Sequence, residues 1–72
     1  MFDNTTTLVK FHFYENKDDK SPYRSTEREL FNVPAEYAYF DDSKYKIFES
    51  CYYDGKYGGK HYYILKLLEI DE

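Results

Sequence analysis

Two runs near the C-terminus decide the fold: residues 45–53 (YKIFESCYY) and residues 61–70 (HYYILKLLEI). Both are rich in aromatic and β-branched or long apolar residues, which favour β-strands. The connection between them, residues 54–60 (DGKYGGK), holds all three glycines of the chain. Glycine supplies the positive φ angles that a tight reversal requires. We therefore predict a C-terminal β-hairpin.

One register of this hairpin pairs Tyr53 with His61, the residues that flank the connection. Pairing Tyr53 with His61 implies three further pairs: Ile47 with Leu67, Glu49 with Leu65, and Cys51 with Tyr63. Neither face of the hairpin is then fully polar, so both faces need cover. We expect that cover to come from a helix and from a partner, with a homodimer as one possibility.

The N-terminal segment predicts a further strand. Over residues 5–14 the apolar Val9, Phe11 and Phe13 alternate with polar or amphipathic residues, which is the period of a half-buried strand. Residues 15–23 (ENKDDKSPY) are polar and include the turn-forming step Ser21-Pro22, so they predict a loop.

Residues 25–33 are compatible with two structures. Thr26 and Glu29 have the spacing of a capping box, which would start a helix. Pro34, however, would end that helix within eight residues. A strand would place Leu30 on one face and both glutamates, Glu27 and Glu29, on the other. We favour a strand that pairs antiparallel with the first.

Asn32 can cap a short helix over residues 34–40 in which Pro34 occupies the first turn. The polar residues Asp41, Asp42 and Ser43 would end it. The predicted fold is mainly β (α+β): a small antiparallel sheet of about four strands with one short helix after Pro34, packed on one face of the sheet. Its predicted core is Val9, Phe11, Phe13, Leu30, Ile47, Leu65 and Leu67.

The composition limits the class of protein. The chain has 72 residues, which predicts one small domain over residues 1–72. Its aromatic content of 22% favours a folded protein. The net charge of −4 argues against general duplex binding. The single cysteine and the absence of a signal-like or membrane-spanning apolar run predict a cytoplasmic protein.

No reaction is indicated by the sequence. Cys51 and His61 would be only diagonal neighbours in the hairpin, without the orienting group and oxyanion donors that a nucleophile needs. His12, Cys51 and His61 lack the short spacings of zinc sites, and the paired aspartates lack the pattern of a calcium loop. We expect no enzyme activity, no catalytic residue, no metal and no cofactor.

Charge is distributed unevenly along the chain. Residues 15–42 contain eight acidic and four basic side chains, whereas residues 44–66 contain five lysines and two acids. On a strand, Glu27 and Glu29 would lie about 6.8 Å apart, close to the phosphate spacing of one nucleic-acid strand. The predicted partner-binding residues are the eight acids, acting as phosphate substitutes: Glu15, Asp18, Asp19, Glu27, Glu29, Glu36, Asp41 and Asp42.

In length, acidity, tyrosine content and its single cysteine, the chain resembles the small host-takeover and inhibitor proteins of bacteriophages, several of which are DNA mimics. The resemblance covers the whole chain in size and composition, although no motif such as Glu27-x-Glu29 is diagnostic. It implies a non-enzymatic inhibitor in the bacterial cytoplasm that blocks the nucleic-acid site of a basic host DNA-binding protein, for example a histone-like nucleoid protein.

Two alternatives remain open. The C-terminal hairpin interleaves lysines with tyrosines, which is typical of single-strand nucleic-acid binders, with Lys56, Tyr57, Lys60 and Tyr62 as contact residues. Alternatively, the tyrosines belong to a generic protein-interaction domain, since tyrosine is favoured at interface centres.

Overall fold

The computed structural model describes residues 6–55, 59 and 61–70. These residues form one five-stranded sheet of order β2-β1-β5-β4-β3. The strands are β1 (Thr7–Tyr14), β2 (Arg24–Leu30), β3 (Tyr37–Phe40), β4 (Ser43–Tyr53) and β5 (Tyr62–Glu69). The mainly β prediction is confirmed, as are the strand at β2 and the C-terminal hairpin of β4 and β5.

The sheet is mixed, so the prediction of an antiparallel sheet of about four strands is wrong. β5 lies in the centre, antiparallel to β4 and parallel to β1. Its central place gives β5 a hydrogen-bonded neighbour on each edge. In β5, Leu65 and Leu67 face the core, while Ile64 and Leu68 face the opposite side. Leu65 and Leu67 are fully buried, whereas Ile64 and Leu68 are only half-buried, so the fold covers one face of this run.

The prediction of a short helix after Pro34 is also wrong, because residues 37–40 form β3. No helix occurs in the described part of the chain. Ala38 is buried between the exposed Tyr37 and Tyr39, which is the alternation of a strand. A helix of seven residues is marginal in water, whereas β3 gains a ladder of hydrogen bonds with β4.

Asp41 and Asp42 form the turn between β3 and β4 rather than the end of a helix. Both have positive φ, 50° and 65° respectively. Two successive residues in this region make the two-residue hairpin turn whose twist matches that of the flanking strands. Aspartate tolerates this conformation better than most residues other than glycine and asparagine.

A β-bulge at Phe48 changes the predicted register of the hairpin. Ile47 pairs with Leu67 as predicted, but Tyr53 pairs with Tyr62 rather than with His61. Beyond the bulge the two remaining predicted pairs are also displaced by one residue, to Glu49 with Lys66 and Cys51 with Ile64. The extra residue turns Glu49 away from the core, where an unpaired carboxylate would be costly.

The sheet curls, and its concave inner face encloses the core. Phe40 of β3 reaches across to β1, with its ring centre 4.8 Å from that of Phe11 and 5.2 Å from that of Phe13. This curl takes the place of the predicted helix as cover for the sheet. The buried cluster consists of Val9, Phe11, Phe13, Ala38, Tyr45, Ile47, Leu65 and Leu67, with Leu30 only partly buried at its margin.

Candidate functional site

One end of the sheet gathers acidic side chains from three separate segments. We call it the acidic end and define it as Glu15, Asp18, Asp19, Asp41, Asp42 and Glu69. β1 and β5 are parallel and stop there together, and β2 starts there. The backbone N–H of Ile70 donates to the carbonyl of Lys44 at 2.9 Å, which holds the end of β5 beside the start of β4.

Short local contacts shape the loop of the acidic end between β1 and β2. The backbone N–H of Asn16 donates to Asp19 Oδ2 at 3.1 Å, and the N–H of Asp19 donates to the carbonyl of Asn16 at 3.1 Å. Glu15 and Glu69 line one depression of about 430 Å³ together with Tyr14 and Tyr23. The loop and the end of β5 thus present one continuous surface.

The basic groups at this end are Lys17, Lys20, Arg24 and Lys44. Arg24 lies 3.4 Å from Asp41 Oδ2, and its guanidinium carbon lies 4.9 Å from the centre of the Phe13 ring. The ammonium of Lys44 lies 4.3 Å from the centre of the Tyr37 ring. Arg24 and Lys44 are therefore held by partners within the fold, while Lys17 and Lys20 are exposed in the loop.

Three of the eight predicted acidic residues lie elsewhere. Glu27 sits on β2, 3.9 Å from Lys10 of β1, and Glu29 accepts a hydrogen bond of 3.2 Å from the Thr6 hydroxyl. Glu36 precedes β3 on the other edge of the sheet. Glu29 is five residues along β2 from Arg24, about 17 Å at 3.4 Å per residue. The predicted row of eight is thus divided into a group of five and three outliers.

Glu69 joins the acidic end although it was not among the predicted residues. Its place depends on the parallel pairing of β1 with β5, which brings the end of β5 beside Glu15. Neighbouring strands in the sequence usually pair, so a contact between the first and the last strand has no local signal. The acidic C-terminal sequence that follows β5 is the one hint the sequence offers.

The opposite end of the sheet carries paired aromatic rings. We call it the tyrosine end and define it as Tyr52, Tyr53, His61, Tyr62 and Tyr63. Tyr53 stacks on Tyr62 with ring centres 5.0 Å apart, and Tyr52 meets Tyr63 at 4.8 Å. The ammonium of Lys10 lies 4.2 Å from the centre of the Tyr62 ring. Of the residues predicted for nucleic-acid contact, Lys56, Tyr57 and Lys60 lie outside the described residues.

Cys51 lies on β4, beside the central strand β5. Its Sγ–H donates to Glu49 Oε2 at 3.5 Å, and Cys51 pairs with Ile64 across the hairpin. Burial, followed by the hydrogen bond to the Glu49 carboxylate, raises the pKa of the Cys51 thiol. The reactive thiolate is therefore disfavoured.

The outer face of the sheet holds His12 between two lysines. Burial lowers the pKa of His12, and the charges of Lys10 and Lys66 lower it further. Lys66 itself lies 3.0 Å from Glu49, and its hydrogen bond lowers the pKa of that carboxylate. Within residues 6–55, 59 and 61–70, no three His, Cys, Asp or Glu side chains converge as metal ligands would.

Comparison of the chain with protein-family models, with curated proteins and with solved structures finds no match. None of the described elements is a helix of the length and apolarity that crossing a bilayer demands.

Proposed function

We propose that this protein is a non-enzymatic inhibitor whose acidic end occupies the nucleic-acid-binding surface of a basic host DNA-binding protein, such as a histone-like nucleoid protein. The observation that supports the proposal is the gathering of six carboxylates from three segments at one end of the sheet. A cleft that binds phosphates through Lys and Arg side chains also attracts carboxylates of suitable spacing.

The turn at Asp41 and Asp42 gives this proposal a second support. Left-handed backbone at two successive positions is best served by Asn-Gly, Asp-Gly or Gly-Gly. Asp41 suits the first position, but Asp42 stands where glycine is favoured, at a conformational cost of a kind that often accompanies function. The second negative charge, on Asp42, is the property that distinguishes this turn from the more favourable Asp-Gly.

The proposal is tested by competition. A histone-like nucleoid protein is first bound to a fluorescent DNA duplex. The 72-residue protein is then added, and its displacement of the duplex is followed by anisotropy at several salt concentrations. We expect displacement that weakens steeply with added salt, since screening reduces attraction between charged surfaces.

Two matched triple variants locate the effect. E15Q/D18N/D19N neutralises three carboxylates of the acidic end, and E27Q/E29Q/E36Q neutralises the three acids that lie elsewhere. We expect the concentration needed to displace half of the duplex to rise at least about tenfold for the first variant and about twofold or less for the second. Rim charges far from a contact contribute little to binding. Equal losses, or no displacement by the wild-type protein in low salt, would rule out the acidic end as the binding surface.

A second candidate function rests on the tyrosine end. Tyr52 and Tyr53 are 53% and 46% exposed, so their rings can stack on bases, with Lys10 nearby. Titration with a fluorescent twelve-nucleotide oligothymidine tests it. If this end binds single strands, Y52A/Y53A should weaken binding at least about tenfold, since each stacked base contributes about 1–3 kcal/mol. Y39A removes an exposed tyrosine elsewhere and serves as the control.

A further inference from the structure

A groove separates the two edge strands of the sheet. β2 and β3 are at opposite ends of the strand order, but the curl brings them to face each other. The groove has a volume of about 580 Å³, and its walls include Phe11, Leu30, Ala38 and Phe40 together with Arg28. β2 and β3 do not pair through backbone hydrogen bonds, which leaves an open seam above the core.

The backbone of β3 offers hydrogen-bonding groups to this seam. The N–H of Ile47 donates to the carbonyl of Glu36 at 2.9 Å, so Glu36 directs its backbone groups towards β4. In an antiparallel ladder these groups alternate in direction along the strand. The N–H and C=O groups of Tyr37 and Tyr39 therefore point away from β4, and both residues line the groove.

The surroundings of this edge differ on its two sides. On the groove side the rings of Phe11 and Phe40 form an apolar floor, and the guanidinium carbon of Arg28 lies 5.9 Å from the centre of the Phe40 ring. On the outer side, Lys44 and Lys46 place their ammonium groups 4.3 Å and 5.1 Å from the centre of the Tyr37 ring. Both lysines thus lean towards the free edge.

We propose that the β3 edge binds an extended segment of a partner protein in which large apolar residues alternate with acidic residues. Such a segment adds a strand to β3 through the backbone of Tyr37 and Tyr39. Its side chains point alternately to the two faces. The apolar set enters the groove against Phe11 and Phe40, and the acidic set meets Lys44 and Lys46 on the outer side.

The β3 edge borders the acidic end at Asp41 and Lys44, but its test follows backbone hydrogen bonding of an added strand, which the proposed function does not require. The probe is a fluorescein-labelled peptide, EVEFEVE, followed by anisotropy, with KVKFKVK as its charge-reversed control. We expect saturable binding of EVEFEVE and at least about tenfold weaker binding of KVKFKVK. The double variant K44Q/K46Q should reduce this preference for the acidic peptide.

The backbone contribution is measured with Y39P and Y39A. Proline removes the N–H of residue 39, which points away from β4, so the pairing of β3 with β4 is retained while strand addition is blocked. Y39A keeps that N–H. We expect Y39P to weaken binding at least about tenfold relative to Y39A, with far-UV circular dichroism confirming that both variants are folded.

N-methylated peptides provide the same test on the wild-type protein. Backbone N–H groups of an added strand point alternately towards and away from β3. EVEFEVE methylated at its three apolar residues and EVEFEVE methylated at its two inner glutamates should therefore differ at least about tenfold in affinity. Equal affinities of these two peptides, or no saturable binding of EVEFEVE, would overturn the proposal.

Discussion

The acidic end and the tyrosine end of the sheet differ in how far their aromatic rings are buried. β5 spans the distance between them, about 26 Å for eight residues. At the acidic end the rings of Phe13, Phe40 and Tyr45 pack beneath a charged rim, with Phe13 fully buried. At the tyrosine end the rings of Tyr52 and Tyr53 remain about half exposed.

Buried rings of this protein stabilise the core, whereas exposed rings are available to bind a partner. The rings of Phe13, Phe40 and Tyr45 beneath the acidic end are covered by the curl of the sheet, so a partner meets the charged rim and the exposed ring of Tyr23. Rings at the tyrosine end pair with one another and still meet solvent. A chain with ten tyrosines and six phenylalanines thus uses aromatic residues both as core and as surface.

The largest expected effect separates these two uses. F13A removes a fully buried ring that contacts Phe40 and Tyr45, and we expect it to lower the free energy of unfolding by about 3–5 kcal/mol. That is a large part of the stability of a domain of this size. Y52A should cost much less, because Tyr52 is 53% exposed. Urea denaturation measures both variants, and similar losses would contradict the comparison.

The turn at the acidic end provides the next test. Because Asp42 has a φ of 65°, D42G should raise the free energy of unfolding, by up to about 1 kcal/mol, relative to D42N. Both variants remove the charge, so their difference isolates the backbone. Urea denaturation at one pH gives the values, and equal stability of the two would mean that a side chain at this position imposes no conformational cost.

A smaller effect is expected at the tyrosine end. Y53L keeps an apolar side chain but removes the stack on Tyr62, and we expect a loss of about 0.5 kcal/mol. Y39L is the control, because the Tyr39 side chain is 68% exposed. Thermal unfolding of the two variants measures the difference, and an equal effect of both would show that the stack adds no stability.

The smallest expected effect is on the pH dependence of the free energy of unfolding. It comes from His12, which lies between the two ends of the sheet. Burial and the charges of Lys10 and Lys66 lower its pKa in the folded protein. As pH falls below the ordinary value of 6.5, the unfolded chain takes up a proton before the folded one does, so stability decreases with falling pH in that window. H12Q should remove this part of the pH dependence of unfolding.

Nuclear magnetic resonance titration follows the same group directly. K10Q removes one of the charges that lower the pKa of His12, so the pKa should move upwards towards its ordinary value. A His12 pKa that is at or above 6.5 in the wild-type protein would contradict the expected environment of the outer face.

Local sequence patterns were sufficient to predict much of the fold. The alternation of Val9, Phe11 and Phe13 predicted β1, the dense apolar run and the glycines predicted the C-terminal hairpin, and six of the seven predicted core residues are buried. The pair of glutamates on β2 shares one face as expected. These features depend on the period of side chains along a strand, which can be recognised in a short window.

The errors arose where distant segments meet. Residues 37–40 form a strand because β4 supplies hydrogen bonds, and one residue at Phe48 displaces the pairing of Glu49 and Cys51. The candidate site was only partly predicted for the same reason. Five predicted acids and Glu69 share an end because β1 runs parallel to β5 and because the turn between β3 and β4 lies beside the end of β5. Glu27, Glu29 and Glu36 do not join them.

The amino-acid sequence by itself determined that this chain forms β-strands, which side chains of most strands face the core, and that its acidic residues are concentrated outside the C-terminal hairpin. Only the tertiary structure decided the parallel pairing of the first and last strands, the curl that replaces a helix as cover, and the separation of a charged end from an aromatic end. Strand period is a property of neighbouring residues, whereas strand order depends on contacts between residues far apart in the chain.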